Sequence, residues 1–152
     1  MEVIRISNIS NYHLEIINNE LILTPIRKYI TENELLNKDL THSIITYCII
    51  KDIDDNIILN NSNNISYVKH LIDIYKNIPS SIILQNTTFN ISLREEDSGA
   101  RNFMWYPEIK MCIQRKEARG TLREILNMVK INNFKIDIGI KLNTGETVNY
   151  KN

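Results

Sequence analysis

Residues Thr121 to Tyr150 read TLREILNMVKINNFKIDIGIKLNTGETVNY, and this stretch decides the fold class. Leu122, Ile125, Leu126 and Val129 recur at helical spacing. Thr121 with Glu124 three residues on has the form of a capping box, so the pattern predicts a helix that opens after Gly120 and ends near Asn132-Asn133. Phe134, Ile136, Ile138, Ile140 and Leu142 then alternate with Lys135, Asp137, Gly139 and Lys141, the two-residue period of a strand with one buried face. Asn143-Thr144-Gly145 turns the chain back through Val148 and Tyr150. Upstream, Ile109, Met111 and Ile113 alternate as well, so the unit reads strand, helix, strand hairpin. The pattern specifies an α+β fold over residues 1–152 as a single domain. A mostly antiparallel, mixed β-sheet carries two main helices packed on one face.

The second of those helices is expected over Ile65 to Asn77, with Ile65, Val68, Leu71, Ile72 and Tyr75 on one side, Ser66 as cap and Pro79 as stop. Ser43 to Ile50 reads as a buried strand, joined across Asp52 to Asn56 to a short partner at Ile57 to Leu59. Strands are also expected at Met1 to Ser7, on either side of Asn18-Asn19 between Tyr12 and Leu23, at Ser81 to Leu84, and at Phe89 to Leu93. Thr31 with Glu34 suggests one or two helical turns.

Eighteen Lys plus Arg balance eighteen Asp plus Glu, so no net field draws the whole molecule onto nucleic acid or an anionic membrane. A charged partner must be read by a local patch. Roughly a third of the residues are Ile or Asn, both supplied by A/T-rich codons, which points to a microbial or phage gene and argues against reading function into the Asn runs. Cys48 and Cys112 sit in apolar or alternating runs, where thiols pack as small hydrophobes. The sequence shows no signal-peptide pattern and no apolar run long enough to span a bilayer, so a cytoplasmic protein without a membrane partner is expected. His13, His42 and His70 are scattered, and no Walker-type or dinucleotide-type glycine spacing occurs, so neither a transition metal nor a cofactor is expected.

The distinctive chemistry lies between Arg94 and Arg123, which holds five arginines, an acidic triplet and the only Trp. Two constellations stand out there. Asp97 with Glu108-Ile109-Lys110 has the order used by metal-dependent nucleases of the restriction-enzyme type. In those, an acid on one strand and Glu-x-Lys on the next hold a divalent cation and steady the attacking water. Arg101, Trp105, Tyr106, Arg115, Arg119 and Arg123 instead combine stacking surfaces with anion-pairing groups. They suit a nucleotide, a short nucleic acid or a protein hot spot. The bland alternative places the aromatics at the end of the core and pairs the arginines with Glu108, Glu117 and Glu124.

Lacking a catalytic set, the chain reads first as a non-enzymatic binding protein that blocks or sequesters a protein partner, of the toxin-immunity or phage anti-defence kind. A nucleotide or nucleic-acid module and the nuclease are the alternatives. Self-association is compatible with all three.

Overall fold

The computed structural model describes residues 12–25 and 27–152; the strand expected at Met1 to Ser7 lies outside them. Where the signals are local, the chain follows them. Asn18 and Asn19 adopt left-handed φ angles of 51° and 64°, and they fold β1 (Tyr12–Ile17) back onto β2 (Glu20–Pro25) as an antiparallel hairpin. Thr31 and Glu34 close a capping box at the head of α1 (Glu32–Leu36), each side chain accepting the other residue's backbone N–H. Asp52 accepts the N–H groups of Asp54 and Asn56, both at 2.9 Å, and so shapes the turn from β3 (Ile44–Lys51) into β4 (Ile57–Asn61). Ser66 caps α2 (Tyr67–Tyr75) through the N–H of Lys69.

Three expectations fail in the middle of the chain, each because tertiary packing outweighs the local pattern. Ser81 to Leu84 is not a strand. It lies within α3 (Ser80–Asn86), which Pro79 starts rather than precedes as a breaker, and only Ile83 of that helix is fully buried. The strand expected over Phe89 to Leu93 shrinks to β5 (Ile91–Ser92): Phe89 has joined the main core, while Leu93 is 59% exposed beyond the last pair. After β6 (Phe103–Tyr106), the Ile109 alternation is broken by a turn over residues 107–110, so β7 (Met111–Gln114) begins only at Met111. There Met111, Cys112 and Ile113 are all buried, because both faces of this strand are covered.

The C-terminal third has the predicted order, with α4 (Ala118–Ile131), β8 (Lys135–Lys141) and β9 (Thr147–Lys151). The fold is α+β as expected, and among the described residues its strands are divided over three sheets rather than one: the β1–β2 hairpin, a four-stranded sheet ordered β4-β3-β8-β9, and a three-stranded sheet ordered β5-β7-β6. Every strand pair is antiparallel. Ile45, Cys48, Ile50, Leu59, Ile136, Ile138, Ile140 and Val148 form the inner face of the four-stranded sheet, beneath α2 and α4. On the other face Gly139 is buried under the Tyr47 ring. A Cβ there would stand 2.2 Å from the ring of Tyr47, so only glycine lets that ring lie across β8. Tyr47 and Tyr29 then donate to the two oxygens of Asp137, at 2.8 and 3.0 Å, and Arg27 stacks 4.1 Å from the Tyr47 ring centroid. With Ile30 N–H bonded to Asn149 O at 2.8 Å, these contacts fix residues 27–30, the exit from the hairpin, against the sheet.

The capping box expected at Thr121 is the largest correction. Helix α4 begins earlier, with Glu117 as N-cap, so Thr121 and Glu124 fall inside the helix and are buried. Glu124 is 0% exposed and caps nothing. Its carboxylate accepts from the hydroxyls of Tyr75 and Thr87, from Thr88 N–H at 3.1 Å and from Thr88 Oγ1 at 3.0 Å. A charged group at this depth is tolerable only with such a shell of donors. Burial, with the adjacent Glu124 charge, pushes the Tyr75 phenol far above its usual range and keeps it a donor.

His70, on α2, is also fully buried beneath the sheet. Asn61 Nδ2 lies 3.3 Å from its Nδ1, and its Nε2 has no hydrogen-bond partner. Desolvation holds its pKa down at about 4, against a weaker opposing pull from Asp73. Because the unfolded chain binds this proton near pH 6.5 and the folded one only near 4, stability is full above pH 6.5. It is expected to fall by on the order of 3 kcal/mol as the pH drops through that window. Denaturant unfolding at pH 7 and pH 4 of wild type and His70→Gln measures this: the variant should lose the smaller amount, and equal losses would contradict it.

Candidate functional site

Neighbouring residues on a strand point to opposite faces, and this single fact takes apart the aromatic group between Arg101 and Arg123. Trp105 is paired with Cys112 and shares its face, away from the main core; Tyr106 is paired with Met111 and packs on the core. Both rings are half-buried. The 3-10 turn Glu95–Asp97 packs against β6 and β7, and Cys112 Sγ donates to Arg94 O at 3.2 Å. Burial, then the acids of that turn, raises the Cys112 pKa, and burial likewise pushes Cys48 up to about 12, so both free thiols stay protonated and unreactive.

Arg101 and Arg115 come together at one end of the β6–β7 hairpin, where Gln114 Nε2 donates to Arg101 O at 2.8 Å and Arg115 N–H to Asn102 O at 3.0 Å. Arg119 and Arg123 stand one turn apart on α4. Arg119 reaches across to Lys38 O at 3.1 Å, whereas Arg123 is exposed. The arginines do not pair with Glu108, Glu117 or Glu124. Among the described residues, none of Arg101, Arg115, Arg119 and Arg123 forms an ion pair. These arginines thus stand outside direct ion pairs, although Asp39 and Glu117 lie close to Arg119. Two cavities open beside them, one of about 320 Å³ at Phe89, Arg115 and Lys116, the other of about 450 Å³ at Asp39, His42, Glu117 and Arg119.

The Glu-x-Lys triplet is not on a strand. Glu108 and Lys110 are exposed on the 107–110 turn, Lys110 with a left-handed φ of 52°, and Asp97 sits in the 3-10 turn, where it accepts from Ser92 Oγ. Among the described residues, no group of three or more His, Cys, Asp or Glu is arranged to hold a metal ion. No helix among them is long and apolar enough to cross a membrane.

A different surface was hidden in plain alternation. In the β1–β2 hairpin, Leu14 opposes Leu23 and Ile16 opposes Leu21, so all four share one wholly apolar face, while the other face mixes His13, Glu15 and Glu20 with the exposed Ile17 and Ile22. Leu14, Ile16 and Leu21 remain 47, 74 and 56% exposed. Among the described residues the hairpin pairs with no other strand, and residues 27–30 beyond it are held against the four-stranded sheet by the Tyr47, Tyr29 and Asp137 network. Two strands alone are marginal in water, and a contiguous apolar face is rarely left to solvent. The signal available was the Leu-x-Ile, Leu-x-Leu pattern flanking Asn18-Asn19, a turn that reads as composition when taken by itself.

No protein-family model, curated protein sequence or solved structure matches this chain.

Proposed function

We propose that the chain is a non-enzymatic binding protein that occupies an apolar groove on a protein partner with the Leu14, Ile16, Leu21 and Leu23 face of its hairpin. The observation that carries the reading is that wholly apolar face, exposed on a hairpin that among the described residues pairs with neither larger sheet. The overall charge balance supports a contact driven by apolar burial rather than by long-range steering. The backbone edges of the two short strands, unpaired among the described residues, add hydrogen-bonding capacity of the kind used in strand addition. Composition rich in Ile and Asn supports placing the partner in microbial conflict, as the target of an immunity or anti-defence protein.

Affinity capture from a microbial lysate with wild type, the Ile16→Lys/Leu21→Lys pair and Trp105→Ala tests the reading, followed by reconstitution with the purified partner. One protein should be held by wild type and Trp105→Ala and lost by the double lysine variant, whose binding falls by more than about 3 kcal/mol. Retention by the double variant would overturn the hairpin site. A wild-type dimer that the double variant reduces to a monomer would replace the separate partner with a second copy of this chain.

A further inference from the structure

We propose that the cavity between the starts of α2 and α4 binds a phosphomonoester carried on a small apolar or aromatic body. Its volume, about 320 Å³, is that of the smaller ligand pockets. Tyr67, Val68, Phe89 and Ala118 wall it with apolar surface, and Arg115 and Lys116 supply the charge. No carboxylate lines it, in contrast to the neighbouring cavity with Asp39 and Glu117. Two positive charges therefore meet in its lining, while the adjacent Glu117 carboxylate lines the neighbouring cavity. Lys116 is already positioned, its Nζ donating to Thr88 O at 2.7 Å and lying 4.8 Å from the Phe89 ring centroid, which leaves two of its three donors. Arg115 is anchored through its backbone and keeps its guanidinium out of any ion pair among the described residues.

The start of α4 reinforces the charge. Its N-cap, Glu117, makes no side-chain capping bond, and Ala118, the first helical residue, lines the cavity, so the positive end of a 14-residue helix adjoins the two cations. A phosphomonoester brings a charge of about −1.5 to −2 at neutral pH, which matches two cations where a carboxylate would match one. The apolar walls give the body of the ligand a place that free phosphate would leave empty.

The test is a titration of the isotope-labelled full chain, followed by NMR, with phenyl phosphate, adenosine monophosphate, inorganic phosphate and phenol. Saturable shifts at Tyr67, Phe89 and Arg115 are expected with phenyl phosphate, and the adenosine monophosphate arm decides whether the body extends to a nucleoside. Phenol and inorganic phosphate should each bind at least about tenfold more weakly, and Arg115→Ala should weaken phenyl phosphate by a similar factor. Val68→Glu puts a carboxylate into the cavity at a helix N-terminal position that favours one, so the fold should persist while binding vanishes. The Ile16→Lys/Leu21→Lys variant should bind phenyl phosphate as wild type does, which separates this site from the hairpin. Equal binding of inorganic phosphate, unchanged binding by Val68→Glu, or no saturable shift with either organic phosphate would overturn the proposal.

Discussion

Glu124→Ala is expected to lose about 3–5 kcal/mol in denaturant unfolding at neutral pH, a large share of the stability of a domain this size. The carboxylate is the shared acceptor for the buried Tyr75 hydroxyl, for the half-buried Thr87 and for both donors of the more exposed Thr88, at a site where Glu124 itself has no exposure. Truncation leaves the buried Tyr75 hydroxyl and the half-buried Thr87 donor to compete for few acceptors; the Tyr75 and Thr87 hydroxyls, 3.2 Å apart, can satisfy each other only in part. Glu124→Gln keeps one carbonyl oxygen and should lose less. A loss under about 1 kcal/mol for Glu124→Ala, at an unchanged denaturant slope, would mean that the network does not hold α2, the Thr87–Thr88 segment and α4 together.

Leu126→Ala, two residues further along α4, is expected to cost about 2–5 kcal/mol, the range for deleting a buried leucine side chain whose surroundings relax incompletely. Leu126 is 2% exposed and stands with Leu122, Ile125 and Val129 in the core that α4 shares with the sheet. Lys130→Ala on the same helix is the control. Lys130 pairs with Glu32 of α1 at 2.6 Å, but about half of the lysine is in solvent, so its removal should cost no more than about 1 kcal/mol. Chemical denaturation of the two variants side by side decides the matter, and equal small losses would turn the apolar stripe away from the core.

How far the sequence could be read follows from how local each signal is. Thr31 with Glu34, Ser66 before α2, and the alternation from Phe134 to Leu142 all behave as they read, because a cap or a strand period is satisfied within a few residues. Thr121 with Glu124 has the same form as Thr31 with Glu34 yet serves a different purpose: its acceptor is claimed by Tyr75, Thr87 and Thr88, up to 49 residues away. No spacing rule carries that information. Ser81 to Leu84 misleads for a related reason, since a short apolar run fits a strand or a helix equally and Pro79 decides it by starting α3. At the candidate sites, composition drew attention to Trp105 and Tyr106, but pairing with Cys112 and Met111 sends them to opposite faces. Arg115 was legible as a candidate from its residue type. Its companions Tyr67, Val68 and Phe89 were not, because α2 and the Thr88–Phe89 segment meet it only in three dimensions.

The central claim, that the hairpin face is the binding surface, is tested most directly by titration calorimetry of the purified protein partner. Wild type, the Ile16→Lys/Leu21→Lys variant and a Trp105→Ala variant are compared after unfolding curves have shown all three to be folded. The account predicts saturable binding by wild type and Trp105→Ala with a negative heat-capacity change, the mark of apolar burial, and no measurable binding by the double lysine variant. Undiminished affinity in the double lysine variant, or its loss in Trp105→Ala alone, would contradict it.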